Sequence, residues 1–385
     1  MSEPSFLQTS SPLTIGILRR GYSASGGVEV YLKGLARGLI AEGHRPILLG
    51  TDTWPASEWP GGEILRCDGR NLETYAESVA SHQAVRKFDL LVSWEKIPGC
   101  DIYRTDEGVH ASWLEARAPH QSAPARWFQA ISPKHREKLR LEKSLYADKG
   151  LKRVIAVSER IMNEITVVHG YPREKISLIR YGARVHGVAP EGERSEARKK
   201  LGIKPQEQCI LFVGTGWERK GLRFAVRAVE RLGDANARLI VVGKGNRARY
   251  ASEAVTFLGT VSHDSLKTVY RAGDLLVAPS IYEPFSLAGL EALGAGLPVI
   301  AGEAVGLTEI MTPGVHGEVI DDPSDIDSLA GALRKWISLL GEPTEADRVR
   351  AACAALASEF TLERNLGETL AVIRDVVEEK LKVEG

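Results

Sequence analysis

Short apolar runs recur along this chain, each separated from the next by a segment of helix length, and that alternation admits few folds. The first series reads "LTIGIL" (13–18), "PILLG" (46–50), "FDLLVSW" (88–94) and "RVIAVS" (153–158). The second reads "CILFVG" (209–214), "ARLIVVG" (237–243), "AVTFLG" (254–259), "DLLVAPS" (274–280) and "LPVIAG" (297–302). Strands that alternate with helices build parallel sheets covered on both faces, so the expected class is α/β, with two Rossmann-like doubly wound domains. The stretch "GVAPEGERSEARKKLGIKPQEQ" between the two series is polar, charged and proline-bearing, as a linker or hinge is, which sets the boundary near residue 185. The expected organisation is therefore 1–185, 186–360 and a C-terminal helix over 361–385.

A chain of 385 residues has room for two or three cores. Its 50 Lys and Arg balance 50 Asp and Glu, so no global field favours nucleic acid as a partner. Cys67, Cys100, Cys209 and Cys353 form no C-x-x-C pair and read as reduced cytosolic thiols. The start "MSEPSFLQTSS" lacks a basic segment followed by an apolar run, and "ALGAGLPVIAG" (292–302) is too short to cross a bilayer. The expected location is the cytoplasm, up to a membrane surface.

In doubly wound sheets, ligands bind at the carboxyl ends of the strands, here expected in a cleft between the halves. Gly26 and Gly27 follow the first strand and let backbone amides approach an anion, although a tight turn needs such glycines equally. In "GTGWERKGL" (214–222), Arg219 and Lys220 are consecutive cations at the mouth of the second sheet. They could clamp a diphosphate or simply be a solvated helix start, but a helix start disfavours cations, so the pair needs an anion or some other compensation. In "EPFSLAGLE" (283–291), Pro284 pushes Glu283 into extended geometry and a helix is expected from about Ser286. The amides of Phe285, Ser286, Leu287 and Ala288 then make an anion site flanked by Glu283 and Glu291. That helix is apolar on nearly every side, so Glu291 is expected to be buried with partners.

These residues carry a resemblance. "EPFSLAGLEALGAGLPVIAG" resembles the E-x7-E signature of retaining glycosyltransferases of the GT-B fold, and the likeness extends through "GGVEVYLKGLARGLIAEGH" and "FTLERNLGETLAVI", over nearly the whole chain. It implies that Glu283 bonds hydroxyls of a donor sugar, that Glu291 holds the ribose, and that Arg219 and Lys220 neutralise the departing diphosphate, with Gly26 and Gly27 near the diphosphate or acceptor. It also implies a C-terminal helix that crosses back to the first domain, and closure of the domains on the donor. One departure is Thr215, where many members carry arginine. The adjacent Arg219 and Lys220, and "EKIPGCDIYRTDEGVHASWLE" (95–115), are similar to the lipopolysaccharide core glucosyltransferases, which move glucose from UDP-glucose to a heptose. That likeness puts Asp106 or Glu107 where those enzymes have a proposed catalytic acid; Asp106 is preferred and His110 is next. Lys96 and Arg104 become candidates for acceptor phosphate.

The implied reaction is retaining transfer of a hexose from a nucleotide sugar to a lipid-linked saccharide, with no cofactor and no metal. The D-x-D at Asp325-Ile326-Asp327 reads better as a helix cap than as a metal ligand set. A UDP-sugar epimerase, a phosphorylase and a sugar-binding scaffold compete; the sequence offers no convincing lysine for pyridoxal phosphate, and a scaffold has little use for Arg219, Lys220, Glu283 and Glu291 together. Finally, residues 112–143 interleave Trp113, Trp127 and Phe128 with Arg117, Arg126, Lys134, Arg136, Lys138, Arg140 and Lys143. Such a segment fits an anionic membrane surface at the inner face of the cell membrane, or else an ordinary solvated face with its aromatics in the core.

Overall fold

The structure is a computed structural model, and it describes residues 12–23, 27–183 and 187–384. The chain forms two compact units, one of residues 1–179 with 363–385 and one of residues 180–362. The division thus falls a few residues from the expected 185, and the C-terminal segment belongs to the first unit.

In the first unit, strands β1 (Thr14–Leu18), β2 (Arg45–Gly50), β3 (Ile64–Arg66), β4 (Leu90–Ser93), β5 (Ile102–Arg104), β6 (Arg153–Ala156) and β7 (Ile176–Leu178) form one parallel sheet in the order β3-β2-β1-β4-β5-β6-β7. Helices α1 (Gly27–Ala41), α2 (Leu72–Val85), α3 (His110–Arg117), α4 (Ala123–Ile131), α5 (Pro133–Ala147) and α6 (Glu159–His169) connect them. In the second unit, α7 (Glu191–Lys200) precedes a sheet of β8 (Gln208–Val213), β9 (Ala237–Val242), β10 (Val255–Gly259), β11 (Leu275–Ala278), β12 (Val299–Gly302) and β13 (Gly317–Ile320), ordered β10-β9-β8-β11-β12-β13. Its helices are α8 (Leu222–Leu232), α9 (His263–Ala272), α10 (Leu287–Gly294), α11 (Ile326–Leu340) and α12 (Pro343–Ser358). The last helix, α13 (Leu362–Glu384), returns to the first unit, where Thr369 accepts from the Tyr31 hydroxyl at 2.7 Å and Lys380 pairs with Asp101 at 2.9 Å.

Both sheets repeat one doubly wound order, in which the chain runs outward from a central strand and then jumps to its other side. The strands that flank this reversal, β1 with β4 and β8 with β11, are largely apolar inside: Ile15, Ile17 and Leu18, Leu90, Leu91 and Val92, and Ile210, Leu211, Leu275, Leu276 and Val277 are all buried, with Ser93 the buried polar residue that ends β4. Loops leaving such a pair diverge and open a crevice at the carboxyl ends.

One expectation is corrected. The charged stretch read as a linker contains α7, which is part of the second unit. Its Arg194 and Arg198 bind Asp274 and the carbonyls of Gly273 and Ala272, so the helix docks through buried guanidinium groups. The four cysteines are buried, separate thiols. Among the described residues, no helix is long and apolar enough to cross a membrane.

Candidate active site

Two loops leave the reversal point of the second sheet, one after β8 and one after β11. The first turns at Gly214, whose φ of 139° requires glycine; a Cβ there would also lie 2.7 Å from Lys220 Cε and displace that side chain. Trp217, 4% exposed, donates its indole N–H to the Gly214 carbonyl at 3.0 Å and so pins the turn. Gly221 closes the loop at φ 73°, against the Pro279 carbonyl of the neighbouring loop. The second loop is held by backbone bonds, Ile281 N–H to the Arg219 carbonyl at 3.0 Å and Glu283 N–H to Ala304 at 3.1 Å.

These constraints bring three predicted charges together. The Arg219 guanidinium donates to Glu283 Oε2 at 2.9 Å and to the Tyr282 carbonyl at 2.9 Å, while Lys220 Nζ reaches the same Oε2 at 2.8 Å. Burial pushes the Glu283 carboxyl upward, but Lys220 and Arg219 outweigh it and hold the group below its ordinary range. Two cations on one carboxylate leave a net positive charge, poised for an anion.

Beside them, α10 starts as expected, one residue after Ser286. Ser286 is the only non-glycine residue at positive φ among the described residues, at 102°, and its hydroxyl caps the helix by accepting from Gly289 N–H at 3.2 Å. A strained backbone at a helix start is a feature of binding sites. The amides of Phe285, Ser286, Leu287 and Ala288 have no acceptor among the described residues and form the unpaired first turn. Glu291 lies farther along α10, half-buried rather than fully so, with its Oε2 2.8 Å from the Tyr270 hydroxyl. The structure therefore gathers Arg219, Lys220, Glu283, the 285–288 turn and Glu291 at the carboxyl ends of β8 and β11. Trp217 and Tyr270 were not singled out in the sequence, where neither carries a local signal of a role at the site.

The candidates in the first unit are placed differently. Gly27 begins α1, and Gly26 lies outside the described residues. Arg104 has no exposed surface: it donates to Asp106 Oδ1 at 2.9 Å, approaches Thr369 at 3.5 Å and packs over the Tyr31 ring at 4.8 Å. It fixes the Asp106 carboxylate from beneath. Lys96, 6% exposed, pairs at 2.9 Å with Glu142, which is fully buried. Glu142 in turn accepts from the amides of His110 at 2.7 Å and Ala111 at 3.3 Å. Val109 cannot cap α3 with its own side chain, so a carboxylate from α5 does so across space. His110 Nε2 meets His135 Nδ1 at 3.1 Å, and Glu107 faces Lys138 at 3.7 Å. Asp325 caps α11 through Ser328 N–H at 3.1 Å, and Asp327 pairs with Arg231.

This network predicts acid sensitivity in two stages. Burial, with the Lys96 and Lys138 charges, pulls the His110 pKa down to about 4 from an ordinary 6.5. The folded state disfavours its protonation, so the associated stability is complete above pH 6.5 and is lost as pH falls towards 4. Burial raises Glu142, but His169, Lys96 and the His110 amide overcome it and hold the group at about 2, against an ordinary 4.5. Its contribution is present above pH 4.5 and is lost towards 2. Thermal midpoints measured from pH 8 to 3 should fall already between 6.5 and 4.5, and His110→Phe should remove most of that early loss.

Comparison with known proteins identifies the family and the fold. The family model described as Glycosyl transferases group 1 matches residues 193–351, and that of Glycosyltransferase Family 4 matches residues 25–186. With both halves matched in order, the chain belongs to the family 4 glycosyltransferases of the GT-B fold. An uncharacterized glycosyltransferase of Methanocaldococcus jannaschii is 27% identical over 343 residues, covering 81% of this chain and 85% of the relative. The D-inositol 3-phosphate glycosyltransferase of a Mycobacterium species (strain KMS) is 32% identical over 183 residues, 44% of this chain and 41% of that enzyme, so the match spans less than half of its length. Among solved structures, WaaG, a glycosyltransferase involved in lipopolysaccharide biosynthesis, superposes with a TM-score of 0.78 at 21% identity, over 93% of this chain and 99% of that one. Anabaena Alr3699/HepE in complex with UDP and glucose gives 0.70 at 17% identity, over 94% and 100%. At these identities the structural likeness establishes the fold.

Proposed function

We propose that this glycosyltransferase moves a hexose, glucose from UDP-glucose as the leading choice, to a lipid-linked saccharide such as a heptose of a lipopolysaccharide core, with retention at the anomeric carbon. The observation that carries the reading is the cluster of Arg219 and Lys220 on Glu283 beside the open first turn of α10. As the anomeric carbon becomes oxocarbenium-like, charge collects on the leaving diphosphate, and two cations with a helix terminus are oriented to receive it. Glu283 then holds sugar hydroxyls and Glu291 the ribose. Departure and attack on one face, with the leaving phosphate accepting the acceptor's proton, needs no protein nucleophile; Asp106 is the group proposed to orient the acceptor hydroxyl. No metal or cofactor enters this scheme, and Asp325 and Asp327 serve as a cap and an ion pair.

A second reading keeps the donor and changes the acceptor to a phosphorylated polyol, favoured by the match to the D-inositol 3-phosphate glycosyltransferases. Incubation with labelled nucleotide sugars, each with truncated core lipids or inositol 3-phosphate, tests both. Incorporation from UDP-glucose into core lipid is expected; incorporation into inositol phosphate alone favours the second reading. Epimerised UDP-sugar formed without any acceptor would contradict transfer.

The acceptor's lipid anchor makes docking on an anionic inner leaflet part of the proposal. Trp127 and Phe128 on α4 are 59% and 63% exposed rather than turned into the core, and Lys134 and Arg136 are exposed at the start of α5. Basic residues near such a surface contribute about 1 kcal/mol each, and tryptophan favours the interface. Co-sedimentation with vesicles should rise with anionic lipid, fall with salt, and drop when Trp127 and Phe128 become Ser. Equal sedimentation of wild type and variant would remove the membrane from the account.

A further inference from the structure

Tyr270 lies near the end of α9 and is 2% exposed, with its hydroxyl 2.8 Å from Glu291 Oε2 and 3.2 Å from the Ala288 carbonyl. Both acceptors belong to α10, one turn apart. The phenol has one proton, which goes to the nearer and charged acceptor, the Glu291 carboxylate, with the Ala288 carbonyl beside it. Burial, and then the Glu291 charge, raise the Tyr270 pKa well above its ordinary value, so the group remains a donor across the neutral range.

We propose that Tyr270 is a positioning residue for Glu291, orienting its carboxylate so that a nucleotide's ribose hydroxyls are read in one geometry. This rests on the reading of Glu291 as the group that holds the ribose. A carboxylate bonds two neighbouring hydroxyls at once only when its plane is fixed, because both bonds depend on direction as well as distance. Without the Tyr270 hydroxyl the carboxylate loses the bond that directs its Oε2, and its plane is less closely set for two hydroxyls at once. The hydroxyl therefore contributes to discrimination between ribose and 2′-deoxyribose more than to anchoring the diphosphate, which Arg219 and Lys220 hold.

The test is the affinity of UDP and of 2′-deoxy-UDP, measured by calorimetry on wild type, Tyr270→Phe and Glu291→Gln. Tyr270→Phe removes one oxygen and keeps the packed ring. It should weaken UDP about fivefold, the scale of one net hydrogen bond, and leave 2′-deoxy-UDP within about twofold, so the preference for ribose narrows. An unchanged preference, or parallel weakening of both nucleotides, would overturn the positioning role. Glu291→Gln separates the two levels. If it narrows the preference while Tyr270→Phe does not, Tyr270 alone is misassigned; if it leaves the preference intact, the ribose reading of Glu291 fails as well.

Discussion

Lys220→Ala is expected to lower kcat/KM for the nucleotide sugar by about a thousandfold, mostly in kcat, because a fixed cation aimed at a leaving diphosphate acts most strongly as charge develops. Lys220 is held for this role by the Gly214 turn and by Glu283, with 15% of its side chain exposed, so its charge is only partly screened. Arg219, 32% exposed and shared with the Tyr282 carbonyl, is the more hydrated of the two. Its alanine variant should lose less, about a hundredfold. Steady-state kinetics on both variants checks the order, and equal losses or an effect confined to KM would contradict it.

Glu283→Ala has a different signature. In the folded protein this carboxylate is the counter-charge that both cations share, so its loss leaves Arg219 and Lys220 facing each other without it. Breaking such a pair costs several kcal/mol when fully buried, and the partial exposure of Arg219 reduces that to about 2 kcal/mol. A diphosphate supplies the missing charge. UDP should therefore bind the variant at least as well as wild type and raise its thermal midpoint by more, while sugar transfer falls at least about a hundredfold for want of the hydroxyl contacts. A variant that loses UDP affinity would show that Glu283 anchors the nucleotide rather than the sugar.

Much of this site was legible in sequence because its signals are local. Pro284 fixes the start of α10, the adjacency of Arg219 and Lys220 at a strand end is electrostatically odd, and strands buried on both faces read as continuous apolar runs. What was missed depends on partners distant in the chain. Strand β5 (Ile102–Arg104) sits between β4 and β6 but is three residues long and ends in an arginine, whose burial is made tolerable by Asp106, Tyr31 and Thr369. The short β3, β7 and β13 were likewise invisible as apolar runs. Helix α7 buries Ala197 and Arg198, and with Arg198 bound to Asp274 its inner face looks polar in sequence. The Lys96–Glu142 pair and the Tyr270–Glu291 bond join residues whose spacing carries no period. No single segment announces either contact.

The proposed function needs a nucleotide diphosphate bound at the carboxyl ends of β8 and β11, with its phosphates on Lys220 and its ribose on Glu291. Calorimetric titration of UDP alone into wild type, Lys220→Ala and Glu291→Ala tests it most directly, since no acceptor or sugar enters. Saturable binding to wild type is expected, with affinity reduced at least about tenfold in each variant, one lost charge-assisted contact apiece. Unchanged UDP affinity in both variants would contradict it.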